Sequence, residues 1–131
     1  MAGITDLKKV LSTLIVVCDD IKYGFASVPK DTGLDTSKVL ATFQEDGRLA
    51  IIAPQEYLKV KGIKYEGPYA KLTIDAHTSL ELVGLTAVLA SKLAEHGISA
   101  NVVAAFYHDH IFVQYELRKK AITLLEELKN G

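Results

Sequence analysis

At 131 residues and 14.3 kDa, with 49% hydrophobic and 24% charged residues, the chain has the make-up of one soluble globular body or two very small ones. A chain of this length buries roughly two-thirds of its unfolded surface, enough for a core without metal or disulfide staples. Fifteen basic against sixteen acidic residues leave a net charge of −1, which removes the electrostatic reason to expect nucleic acid or an anionic membrane as partner, and apolar runs such as Leu14 to Cys18 are far too short to span a bilayer.

Ile4, Leu7, Val10, Leu11 and Leu14 recur at helical spacing opposite Asp6, Lys8 and Lys9, which predicts an amphipathic amino-terminal helix lying on a sheet. Leu14 to Val17 is short, apolar and β-branched, and Asp19-Asp20 punctuates it, so it reads as extended. The one cysteine, Cys18, has no partner thiol, activating histidine or helix start beside it and is expected to be a small buried residue; with no apolar leader-like run either, the chain is expected to be cytoplasmic. Tyr23 to Val28 predicts a strand ending at Pro29, followed by a turn-rich stretch from Lys30 to Ser37. Asp46-Gly47 between Leu40 to Glu45 and Arg48 to Ala53 predicts a tight hairpin, because both turn residues must take positive φ. Pro54 and Gly62 bracket a short helix over Gln55 to Lys61, and Ile63 to Pro68 reads as a connector and the best internal boundary.

From Lys71 the alternation is regular, with Leu72, Ile74 and Ala76 on one face and Lys71, Thr73, Asp75 and His77 on the other, as in a half-buried strand. Thr78 and Glu81 have capping-box spacing, which predicts a helix beginning there and ending near His96 and Gly97. Ser99 to Phe106 and His110 to Tyr115 predict a second hairpin, and Leu117, Ala121, Leu124, Leu125 and Leu128 stripe a closing helix. The two halves echo each other as versions of the split βαβ plan. The second copy ends with no room for a last strand, so a strand of the first half is expected to supply it and interlock the two.

His77-Thr78-Ser79-Leu80-Glu81-Leu82-Val83-Gly84-Leu85-Thr86-Ala87, Gly97 to Ala104 and Tyr107 to Val113 together resemble the small free-standing ACT-domain proteins. The first half is similar in outline through Tyr23 to Pro29, Ala41-Thr42-Phe43 and the Pro-initiated helix, although Lys22-Tyr23-Gly24-Phe25 departs from the more hydrophobic strand usual there. The resemblance implies an α+β, ferredoxin-like fold: two tandem, interlocked ACT-type units with helices on one face of an antiparallel sheet. One unit would span residues 1–66, with an extra amino-terminal helix, and the other 67–131. It also implies a regulatory, non-catalytic protein that binds an amino acid or similar small metabolite between a first strand and first helix, near a neighbouring unit. The matching positions are the segment His77 to Leu85, with Thr78, Ser79, Leu80, Glu81, Val83 and Gly84 within it, and Asn101 on the adjacent strand.

A helix amino terminus offers unpaired amides and partial positive charge, so the backbone around Leu80 to Val83 can hold an amino-acid carboxylate, and Asp75 can pair with its ammonium. The competing reading is that Thr78 and Glu81 satisfy those amides themselves and Asp75 faces solvent. Gly84, read as lying in the first turns of this helix, costs about 1 kcal/mol against alanine, so either a ligand or helix–strand packing needs its missing side chain. A rival reading is a metal-assisted hydrolase or lyase using His108, Asp109 and His110, with His77, His96 or a distant carboxylate as further ligand; a third is an interaction module without ligand. No nucleophile elbow, phosphate loop or dinucleotide fingerprint is present, so no cofactor is expected. A sheet covered on one face leaves its other face or edge open, and Val103, Ala105 and Phe112 predict a homodimer there.

Overall fold

A computed structural model describes residues 4–76 and 84–130. In chain order its main elements are α1 (Ile4–Ser12), β1 (Ile15–Cys18), β2 (Tyr23–Pro29), β3 (Ala41–Glu45), β4 (Arg48–Pro54), α2 (Gln55–Val60), β5 (Glu66–Asp75), α3 (Leu85–Ala94), β6 (Asn101–Ala104), β7 (Asp109–Gln114) and α4 (Arg118–Glu126). The strands form one antiparallel sheet in the order β3-β4-β2-β5-β7-β6, with β1 also paired to β5.

The organising element is β5. Along one edge Tyr69 to Ile74 pair with β7. Along the other, Glu66 and Tyr69 pair with β2 while Leu72 to Asp75 pair with β1, so β1 and β2 lie end to end against a single strand. The first half of β5 completes the β2-β3-β4 unit, and its second half opens the unit containing α3, β6, β7 and α4. That second unit takes its closing strand, β1, from the amino-terminal segment, as the missing last strand predicted.

Alternation sorts the side chains. Ala70, Leu72 and Ile74 of β5 and Ile111 and Val113 of β7 are buried against Leu89 and Leu93 of α3, Ala121 and Leu125 of α4, and Val10 and Leu14 at the end of α1. A smaller core on the same face packs Val28, Ile51 and Ala53 under Leu58 of α2. Here the polar look of Lys22-Tyr23-Gly24-Phe25 has a steric reason. A Cβ on Gly24 would sit 2.5 Å from Tyr65 Cδ2 and 2.7 Å from Leu58 Cδ1, so only glycine lets α2 and its connector close down on β2.

Among the described residues the opposite face carries no helix, yet Tyr23, Ile52 and Phe112 are buried there among Phe25, Ala41, Tyr69 and Val103. Phe112 is 1% exposed. Its ring meets those of Tyr23 and Phe25 edge-on, with centroids 5.9 and 5.3 Å apart. Phe112 therefore offers no free area to a second copy, contrary to the expectation from alternation: strand side chains of its own sheet already cover it.

The Asp46-Gly47 turn has positive φ at both residues, 48° and 77°, as the hairpin requires. Two expectations are corrected. The connector read over Ile63 to Pro68 is already strand from Glu66 onward. Gly84, read as a helix-interior residue, is the N-cap of α3, which is described from Leu85; the start expected at Thr78 lies outside the described residues.

Candidate functional site

The strand-to-helix connection following β5 starts from Asp75 and Ala76. Asp75 is exposed at the end of β5, opposite Ile15 of β1 and on the face without helices, while Ala76 turns toward the main core. His77, Thr78, Ser79, Leu80, Glu81 and Val83, with the capping-box pair among them, lie outside the described residues. On the far side of the connection Gly84 takes φ 101° and ψ −11°, a left-handed conformation that explains the glycine without any need for helix-interior packing. A Cβ there would meet, among the described residues, only Leu7 Cδ2, at 3.8 Å.

Gly84 brings no side-chain cap to α3, and the first backbone bond of the helix runs from the Val88 amide to the Gly84 carbonyl, 3.0 Å. Leu85 is 7% exposed and belongs to the main core. Thr86 donates from Oγ1 to Asp109 Oδ2, 3.3 Å, which ties the first turn of α3 to the start of β7.

Asn101 is not beside Asp75. It faces Phe112, which in turn faces Lys71, so the register sets Asn101 level with position 71, four residues short of Asp75 along the sheet. Its amide donates from Nδ2 to the Phe112 carbonyl, 3.2 Å.

The His108-Asp109-His110 run is spread by strand alternation. His110 points to the helix-free face, with Nδ1 3.0 Å from Thr73 Oγ1, while Asp109 points toward α3 and accepts from Thr86. Burial, followed by the charge of Lys71 and then His108, holds the His110 imidazole below its ordinary value of 6.5. Among the described residues no group of three histidine, cysteine, aspartate or glutamate side chains is placed to hold a metal ion.

Sequence reasoning read Asp19-Asp20 only as punctuation, but this pair clasps the junction of β1 and β2. Asp19 accepts from the Tyr23 hydroxyl at 2.6 Å and the Ile21 amide at 3.0 Å, and lies 3.3 Å from Lys71 Nζ. Lys71 Nζ in turn sits 5.5 Å from the Tyr23 ring centroid. Burial works to raise the Asp19 carboxyl, but the Tyr23 and Ile21 hydrogen bonds and the Lys71 ammonium outweigh it and hold the group below the usual 3.8. Burial, with the hydrogen bond to Asp19, pushes the Tyr23 phenol up. Asp20, at φ 59°, pairs with Arg118 at 3.0 Å, and its carbonyl accepts from the Tyr115 hydroxyl at 3.2 Å. Cys18 is half-buried against the main core, its thiol 3.8 Å from Asp20 Oδ1 and raised by burial.

Two split βαβ units sharing one strand, with helices on one sheet face, define a ferredoxin-like fold. The chain belongs to the ACT-domain family: family models described as ACT domain match residues 2–70 and 64–127, overlapping where β5 begins. A crystal structure from Vibrio cholerae, of a protein of unknown function described as a possible transport protein, is 38% identical over 98% of this chain and 99% of that one, with a TM-score of 0.88. An Agrobacterium tumefaciens protein superposes at TM-score 0.67 with 19% identity, covering 82% of this chain and 83% of its own. The ligand-free regulatory subunit of aspartate kinase from Thermus thermophilus superposes at 0.59 with 14% identity, covering 86% of this chain and 95% of its own. These last two show likeness of fold. Comparison with proteins of curated function finds no match. Family membership supports a regulatory, small-molecule-binding role, and among the described residues no helix is long and apolar enough to cross a membrane.

Proposed function

We propose that the protein is a non-catalytic, cytoplasmic regulator made of two ACT-like units, residues 1–66 and 67–131, that binds an amino acid or similar small metabolite at the connection between β5 and α3. The observation that carries this reading is the ACT-domain match over both halves of the chain. The local geometry supports it: the exposed Asp75 carboxylate stands at one end of the connection, and at the other α3 starts from Gly84, which has no side chain with which to cap it. Asp75 takes the ligand ammonium, and amides near the helix start take its carboxylate. Asn101, engaged with the Phe112 carbonyl on the neighbouring strand, would reach this ligand only after leaving that bond.

A thermal-shift screen across the common amino acids tests the reading. One of them is expected to raise the melting temperature saturably, and Asp75→Asn to weaken that effect at least tenfold. If none shifts the transition, the chain is an interaction module and the reading fails.

We also propose that the protein is a homodimer joined through β6. Among the described residues this strand pairs only with β7, which leaves its outer edge open, and Val102, Phe106 and Tyr107 add exposed apolar surface beside it. Sedimentation at micromolar concentration is expected to give twice the 14.3 kDa chain mass; a purely monomeric species would count against it.

A further inference from the structure

Residues 97–107, which lead into β6 and out to its hairpin tip, include no charged side chain, in a chain of which 24% is charged. Ser99, Asn101, Val102, Ala104 and Ala105 are nevertheless exposed. Free strand edges commonly carry charge, which blocks chance pairing. The other edge of the sheet does so, since β3 ends on Glu45, level with Arg48 of β4. An uncharged edge suits pairing with its own copy, because no like charges are set opposite one another.

The hydrogen bonding of the hairpin shows which backbone groups are free to pair. The Ala105 amide donates to the His108 carbonyl at 3.0 Å and closes the turn around Phe106 and Tyr107. Bonds alternate along an antiparallel pair, so β6 turns the backbone of Asn101 and Val103 to β7 and presents that of Val102 and Ala104 outward. At the tip Phe106 and Tyr107 are 84% and 83% exposed, and their rings meet edge-on with centroids 4.8 Å apart, as one aromatic knob.

Antiparallel pairing of β6 with β6 of a second copy, through the outward groups, centres on Val102 or on Val103. In either register the tip of one copy overshoots the four-residue strand and arrives at residues 97–100 of the other. That segment has room for it. Ser99 and Ala100 are small, Ile98 is turned into the main core, and among the described residues a Cβ on Gly97 would meet nothing within 4 Å. Knob and shelf belong to one stretch of chain, so a two-fold axis uses each of them twice.

Resting on the β6 dimer proposed above, we infer that the tip formed by Phe106 and Tyr107 docks on residues 97–100 of the partner subunit, and that these two reciprocal aromatic contacts anchor the pair. Strand bonds set the register, and the buried rings supply the contacts that dominate such interfaces.

Sedimentation equilibrium on the full chain and its variants, with isotope-filtered NMR on mixed labelled and unlabelled chains, tests this. Phe106→Ala with Tyr107→Ala, both at exposed positions, is expected to raise the dimer dissociation constant at least tenfold. Ser99→Arg, which puts bulk and charge on the receiving side, should do the same. Val60→Ala removes a side chain that is 85% exposed on α2 and should leave the constant unchanged. Ring protons of Phe106 and Tyr107 should give cross-peaks to amides of residues 97–100 of the other copy. Val102→Pro removes an outward amide that β7 does not use and should give monomers. A wild-type monomer, or a dimer that survives Val102→Pro, overturns the β6 reading and the inference with it. A dimer lost in Val102→Pro but unchanged in the folded tip variant, equally weakened by Val60→Ala, or lacking the cross-peaks, overturns the anchor alone.

Discussion

Substitution at Gly84 separates backbone strain from packing. At φ 101° the residue lies in left-handed territory, where an L side chain costs about 1–2 kcal/mol. Among the described residues the space is open: a Cβ would stand 3.8 Å from Leu7 Cδ2, an ordinary van der Waals distance. Helix propensity does not enter either, because Gly84 precedes the first turn of α3. Gly84→Ala should therefore lower stability by about 1–2 kcal/mol from strain alone. Gly84→Asn should cost less, since asparagine tolerates this region, and Gly84→Val more, because its branched Cβ does not. Urea unfolding of the three variants gives the comparison, read from midpoints at unchanged slope. For a domain of this size each kcal/mol moves the melting temperature by about 3–6 °C. A neutral alanine variant, or asparagine as damaging as valine, would refute the backbone account.

Tyr23→Phe removes the hydroxyl donor to Asp19 and should cost about 1–2 kcal/mol near neutral pH. Because the folded Asp19 carboxyl lies below its ordinary 3.8, its contribution is present above that pH and disappears as pH falls through the lowered folded value; the gap between wild type and variant should narrow over the same acid range in urea titrations. The His110 imidazole should titrate below 6.5 in proton NMR; since the unfolded chain then takes up its proton first, stability should decline as pH drops from 6.5, and His110→Gln should flatten that decline.

Much of the fold was legible because local patterns coincide with tertiary roles. Leu72 and Ile74 alternate in the sequence and are core residues of β5, and Asp46-Gly47 announces its hairpin. The start of β5 was hidden by Gly67-Pro68, which reads as a strand breaker. Yet β2 pairs with Glu66 and Tyr69 through a register shift, so the two residues fall in a bulge opposite Gly24, where no amide of Pro68 is asked for. Gly84 was misread as a helix-interior residue because the left-handed backbone that precedes α3 is invisible in a pattern of side chains. The clasp at Asp19 and Asp20 was missed for a different reason. Its partners Lys71 and Arg118 are far along the chain and come to the junction only once β5 and α4 are in place.

The pairing of β1 with the second half of β5 also has a consequence on the ribosome. Ile15 to Cys18 leave the tunnel well ahead of their partners at Leu72 to Asp75. At about 5–20 residues per second, synthesis of the intervening stretch takes about 3–11 s. Through that interval an apolar, β-branched strand has nothing to pair with, while β2, β3 and β4 already have one another. Ile15 to Cys18 are thus the part of the newborn chain most in need of protection, although they are made well before β5.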